Sequence, residues 1–188
     1  MPRVAKSSKR LRAVRPGPAP RTLAKIRLLL MDCDGVLSDG GLYYTQQGAT
    51  LLRFDIKDGL GLVLARRAGL HLGVITGRPL TVLQSRLDDL GIHHVLGSCP
   101  DKAQGVRELC ARLQVRKEEA LFIGDDLPDL AAFSEVGLKV AVADAALEVR
   151  KAADWVTAHA GGRGAVREVC AAVLLAQGNW FTTPESLQ

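Results

Sequence analysis

Short apolar runs alternate with longer amphipathic stretches from residue 26 onward. The runs are IRLLLM at 26–31, HLGVIT at 71–76, IHHVLG at 92–97, ALFIG at 120–124 and LKVAVA at 138–143. Each is short enough for a buried strand and each is followed by a helical candidate, a pattern that predicts a parallel sheet flanked by helices. Within the helical segments, Val106, Leu109, Cys110 and Leu113 recur at helical spacing, as do Val166, Val169, Cys170, Val173 and Leu174. These are core-facing stripes. One stretch breaks the alternation: after Gly40 and Gly41, LYYT and ATLLRFDI are rich in β-branched and aromatic residues and flank Gln46, Gln47 and Gly48, which predicts a β-hairpin over 40–56. The expected architecture is α/β, a doubly wound parallel sheet with a small hairpin insertion.

Length and charge refine this picture. A chain of 188 residues fits one domain. Its 47% apolar content is dispersed, with no run of the roughly 20 apolar residues that a bilayer demands. The net charge of +5 is misleading, because residues 1–25 hold eight Lys/Arg and no acid, leaving 17 Lys/Arg against 20 Asp/Glu in residues 26–188, a balance of −3. The segment 1–25 is expected to be a disordered basic tail, 26–178 the folded domain and 179–188 a C-terminal tail. Attachment of the basic tail to nucleic acid or an anionic membrane is the functional alternative, weaker than plain solvation. Cys33, Cys99, Cys110 and Cys170 lack both metal-ligand spacing and disulfide density, which suits core positions in a reducing cytoplasm.

Chemistry concentrates at strand ends. LLLMDCDGVLSDG carries a buried strand into Asp32 and Asp34, two residues apart and so on one face, followed by a glycine able to turn tightly. Burying two acids costs several kcal/mol unless a cation or hydrogen-bond donors compensate, so the pair indicates a metal site or a polar active-site mouth. Open parallel sheets place such mouths at the carboxyl ends of strands. Thr76 and Gly77 in GVITGR offer a hydroxyl and backbone N–H groups to phosphate oxygens. Lys102 opens a helix and can neutralise phosphate charge, and LFIGDDLPD ends a strand with Asp125 and Asp126, with Asp129 a turn later. Carboxylates are the hard ligands magnesium prefers. Read singly, Thr76 would serve as a turn hydroxyl, Lys102 as a surface lysine, and Asp125 with Asp126 as a helix cap.

Taken in order, Asp32-Cys33-Asp34-Gly35-Val36, the threonine of GVITGR, Lys102 and the GDD of LFIGDDLPD resemble the haloacid dehalogenase-like phosphatases. SDGGLYY, FDIKDGLGL, ITGR, VAVADA and AGGRGAVREV narrow the resemblance to the 3-deoxy-D-manno-octulosonate 8-phosphate phosphatases over about 26–178. The resemblance implies that Asp32 is the nucleophile and forms an aspartyl-phosphate, and that Asp34 acts as general acid and then base. It also implies that Mg2+ is held by Asp32, the backbone carbonyl of Asp34 and Asp125, with Asp126 and Asp129 as supports behind them. The substrate implied is a small phosphorylated sugar acid on the route to lipopolysaccharide; a nine-carbon 2-keto sugar acid 9-phosphate and a non-catalytic binding module are the alternatives.

No cap domain fits between these stations, so the mouth is expected to be open and to need cover. In the resembling family the hairpins assemble a homotetramer; Leu42, Tyr44, Leu52 and Phe54 are the apolar candidates for that contact. Arg78 and Arg86 are candidate ligands for the substrate's anionic groups, and the resemblance adds Lys57, Asp58 and Gly59. Arg163 is a candidate to reach a neighbour's site. His93 and His94 fall at a strand end without further metal ligands nearby.

Overall fold

The computed structural model describes residues 17–180 except 47 and 49. Six parallel strands run in the order β5-β4-β1-β6-β7-β8: β1 (Leu28–Met31), β4 (His71–Ile75), β5 (His94–Leu96), β6 (Ala120–Gly124), β7 (Leu138–Ala141) and β8 (Trp155–Val156). β1 is central and buried at all four positions, as a strand with a helical layer on each face must be. Register follows: Leu30 lies between Gly73 of β4 and Phe122 of β6. Gly73 is needed there because a Cβ would press on Leu30 at 2.6 Å. The strand β8, from DWVT, is too short and polar at its edges to announce itself in the sequence.

Helices α1 (Pro20–Leu23), α2 (Ile56–Arg67) and α7 (Ala165–Ala176) pack together, while α4 (Lys102–Leu113) packs on α5 (Asp129–Phe133). The remaining helices are α3 (Gln84–Leu90) and α6 (Leu147–Ala152). The contact between α2 and α7 is apolar: Val166, Val169, Cys170, Val173 and Leu174 form a buried stripe on α7, and Leu62, Leu64 and Ala65 of α2 are buried as well. The N-terminus of α7 is held by a side chain from α2, since Asp58 accepts from Gly164 N at 3.1 Å and from Arg167 N at 2.7 Å.

Two sequence boundaries shift. Residues 1–16 and 181–188 lie outside the described residues, but 20–23 form a helical turn that buries Leu23 against the core, and Trp180 packs on it with the Arg167 guanidinium 4.6 Å over its ring. The folded body therefore extends past 26 and 178 at both ends, because each extension carries an apolar anchor.

The hairpin pairs β2 (Tyr43–Tyr44) with β3 (Thr50–Leu51), and an isolated bridge joins Ser38 to Phe54 below it. Leu52 and Phe54 pack on the domain core rather than facing outward. The exposed apolar side chains are Leu42, Tyr43, Tyr44 and Leu51, with Ile56 and Leu60 on the adjoining helix. Among the described residues no other domain interrupts the sheet.

Candidate active site

The acidic turn, 32–39, leaves the carboxyl end of the central strand, and the neighbouring strands deliver Thr76 and Asp125 on either side of it. Gly35 (φ +79°) makes the turn in the left-handed region, and a Cβ there would overlap the Asp125 carboxylate. The glycine thus lets the first and last acidic stations touch. One oxygen each from Asp32, Asp125 and Asp129 lies within 4.8 Å of the others.

Lys102 sits among these acids, 5% exposed, with Nζ 2.6 Å from Asp129 Oδ1 and 2.9 Å from Asp32 Oδ2. Burial alone would lower its pKa, but Asp129 and Asp32 outweigh burial and the net direction is upward, so the ammonium stays charged. Asp129 is fully buried, and its other oxygen accepts from Asp125 N at 2.8 Å and Asp126 N at 3.3 Å. With both oxygens engaged, Asp129 anchors Lys102 and the loop behind Asp125. Asp126 differs from its expected supporting place: it is exposed, and its carboxylate accepts from Leu127 N at 2.8 Å, as a local loop cap does.

Burial, then the charge of Asp129, raises Asp32 to about 6 and Asp125 to about 7. One cation among three carboxylates leaves the cluster short of positive charge. Asp125 Oδ1 is buried without a partner. An oxygen-lined, electron-rich site with an orphaned carboxylate oxygen fits a small hard divalent cation such as magnesium. Asp32 and Asp125 have the oxygens to hold it.

Asp34 faces Arg78, whose Nε donates to Asp34 Oδ2 at 2.8 Å, while Asp34 Oδ1 is buried without a partner. Thr76 Oγ1 accepts from Arg78 N at 3.1 Å, fixing the loop that carries the arginine. Asp32, Asp34, Thr76, Gly77, Arg78 and Lys102 line one open cleft of about 530 Å3, together with Pro79, Cys99, Pro100 and Pro128. The last four carry no motif, so only tertiary placement reveals them. Cys33 lies wholly buried beside the cleft; burial, with the charges of Asp34 and Asp32, pushes its thiol well above the ordinary value and keeps it protonated.

Four of the expected substrate-binding residues do not line this cleft: Lys57, Asp58, Gly59 and Arg86. Lys57 is exposed on α2, and the Asp58 carboxylate is committed to the N-terminus of α7. Arg86 lies 5.9 Å over the Phe54 ring and donates to Asp55 O at 3.4 Å. Gly59 is the space that guanidinium fills, since a Cβ there would overlap it. Asp58, Gly59 and Arg86 thus take part in the packing of α2 against α3 and α7. Arg163 pairs with Asp39 of its own chain at 3.3 Å.

Comparison with known proteins agrees with the geometry. Residues 92–169 match the haloacid dehalogenase-like hydrolase family. The 3-deoxy-D-manno-octulosonate 8-phosphate phosphatase of Yersinia pestis is 46% identical over 154 residues, covering 82% of both chains. That of Salmonella typhimurium is 43% identical over 166 residues, covering 86% of this chain and 88% of the relative. The Moraxella catarrhalis phosphatase of the same name, solved with a magnesium ion, a phosphate ion and KDO, superimposes with a TM-score of 0.85 at 37% identity, over 90% of this chain and 97% of that one. With similarity to these enzymes over 82–90% of its length and the same overall fold, the chain belongs to the 3-deoxy-D-manno-octulosonate 8-phosphate phosphatase family of haloacid dehalogenase-like hydrolases.

Proposed function

We propose that this protein hydrolyses 3-deoxy-D-manno-octulosonate 8-phosphate to the free sugar acid and inorganic phosphate, with Asp32 as the nucleophile. The observation that carries the chemistry is the position of Asp32 on the cleft wall, paired with the Lys102 ammonium and clustered with the carboxylates of Asp125 and Asp129. The relatives' shared substrate supports the choice of sugar acid.

In this reading an Asp32 oxygen attacks phosphorus as the ester P–O bond breaks, and Asp34 gives a proton to the departing sugar oxygen. Asp34 then takes a proton from water, whose oxygen attacks the aspartyl-phosphate, freeing Asp32 and releasing phosphate. Lys102 offsets negative charge on Asp32 and on the phosphoryl oxygens, and Asp129 keeps its ammonium from swinging away. Thr76 and the backbone of Gly77 and Arg78 border the position for the phosphoryl group, and Arg78 orients the Asp34 carboxyl. Magnesium, held by Asp32, Asp125 and the Asp34 backbone carbonyl, supplies charge neutralisation and in-line orientation.

Assembly belongs to the same proposal. Tyr44 is 70% exposed and Ile56 85% exposed, and with Leu42, Tyr43, Leu51 and Leu60 they make an apolar surface around the hairpin. Copies of the chain bury it against one another in a homotetramer, which also narrows the open cleft. Four free thiols suit a reducing, cytoplasmic setting; among the described residues no helix is long and apolar enough to cross a membrane.

Phosphate release from the eight-carbon and nine-carbon sugar acid phosphates, with and without magnesium, tests the substrate. The eight-carbon ester should be preferred and chelation should abolish release; equal or reversed preference removes the substrate assignment. Asp32→Asn should lower turnover by at least about 10^3-fold at unchanged folding, and retained turnover would defeat the covalent route.

A further inference from the structure

Behind the acidic turn lies a second layer that takes no part in the chemistry above. The glycine-rich loop 159–164 rests on the backbone of 35–39: Gly162 N donates to Val36 O at 2.8 Å. A Cβ on Gly161 would overlap the Gly35 carbonyl, and one on Gly162 (φ +57°) would overlap the backbone at Asp39. On its other side the Gly35 backbone abuts the Asp125 carboxylate. Asp125, the acidic turn and the glycine loop are therefore stacked in direct contact, so movement of the loop changes the spacing of the metal-binding acids.

Three charged residues hold this stack. Arg53, at the foot of the hairpin, donates from Nη1 to Gly162 O at 2.8 Å and lies 3.5 Å from Asp39 Oδ2. Its Nη2 is 3.9 Å from the Asp55 carboxylate, the N-cap of α2. Asp39 lies five residues beyond Asp34, its side chain 7% exposed, and its other oxygen accepts from Gly41 N at 3.2 Å. Arg163 closes the group from the loop itself, 3.3 Å from Asp39 Oδ2. A nearly buried carboxylate flanked by two guanidinium groups joins the acidic turn, the glycine loop and the hairpin at one point.

We propose that Asp39 and Arg53 are positioning residues for the metal site. They clamp the glycine loop onto the acidic turn and so set the separation of Asp32 and Asp125; this rests on the assignment of those acids as the reacting and metal-holding groups. Neither residue lines the cleft or belongs to the acidic cluster. The clamp ends on the hairpin, so the segment that presents the apolar surface also helps to hold the site.

The test uses the full chain with Arg53→Met, Arg53→Lys and Asp39→Asn. Two midpoints are read: magnesium activation of phosphate release, and the magnesium-dependent rise in melting temperature. Arg53→Met and Asp39→Asn should each move both midpoints upward by roughly 3- to 10-fold, less than the roughly 10- to 100-fold typical of groups bonded directly to metal ligands. At saturating magnesium KM should stay within about twofold of the parent, and Arg53→Lys, which keeps a charged donor, should recover most of the midpoint. Unchanged magnesium midpoints, including the case where only the metal-free melting temperature falls, would overturn the proposal. Asp32→Asn run in parallel separates the failures: if it is inactive while Arg53→Met matches the parent, only the clamp is lost, whereas an active Asp32→Asn removes the catalytic reading.

Discussion

Three clustered carboxylates surround one buried ammonium, which pairs with Asp129 and Asp32, and that imbalance governs how the site responds to protons and metal. Asp32 rises to about 6 and Asp125 to about 7 from an ordinary value of 3.8, first through burial and then through the charge of Asp129. A carboxyl whose folded pKa is raised stabilises the fold below its unfolded pKa, and that contribution is lost as pH rises through the folded value. The metal-free protein should therefore lose stability from these groups between pH 4 and 7. Magnesium competes with the same protons. Its stabilising effect should be small at about pH 5.5 and grow by several degrees of melting temperature by about pH 8. Differential scanning fluorimetry with and without magnesium checks this; a constant difference across the range would show that the acids are not the metal's ligands.

At the scale of elements, helix ends do much of the positioning. Asp58 is buried on α2, yet its carboxylate supplies two acceptors to the first turn of α7, where backbone donors have no partner within the helix. Asp58→Ala should cost about 1–3 kcal/mol in urea denaturation, the penalty for leaving such donors unmet in a buried seam. Asp58→Asn, which keeps one acceptor, should cost less, and a loss for Asp58→Ala below a few tenths of a kcal/mol would show that the bond is incidental. The motif around Asp58 was visible in the sequence, but its role was not. Lys57, Asp58 and Gly59 stand in a recognisable FDIKDG segment, while the partner of Asp58 lies 106 residues away. Helix α4 shows the opposite case, because Lys102 follows its N-cap Asp101 directly and the helix starts where the pattern places it.

For the whole molecule, the exposed hairpin and the open cleft point to one consequence. A single chain leaves Tyr44 and Ile56 in water and its reaction site uncovered. Tyr44→Asp should shift the sedimentation coefficient from that of a tetramer toward smaller species, because a charge at the centre of an apolar contact has no partner there. A monomeric parent protein would remove the assembly proposal. Outward direction was the feature that sequence reading resolved least well: Leu52 and Phe54 turn onto the core and Tyr43 and Leu51 turn out. Leu42 and Tyr44 are exposed as expected, but a two-stranded hairpin standing off the body leaves Tyr43 and Leu51 in water as well, and only the segment returning to the core turns Leu52 and Phe54 inward.

By itself the sequence determined the α/β alternation and five of the six sheet strands, the strand ends that carry Asp32, Asp34, Thr76 and Asp125, and the family to which they belong. Those features are local: apolar runs that bury a strand, and polar residues immediately after them. Only the tertiary structure decided that Asp129 holds Lys102 and that Asp126 caps a loop. It alone placed Arg78 on Asp34, and Arg53, Asp39 and Gly162 behind the acidic turn. The reason is physical: a side chain of a given type offers the same charge and donors wherever it stands. Which partner it meets depends on segments brought together by burial of the surfaces between them, 27 residues apart for Lys102 and Asp129, 44 for Arg78 and Asp34 and 109 for Arg53 and Gly162.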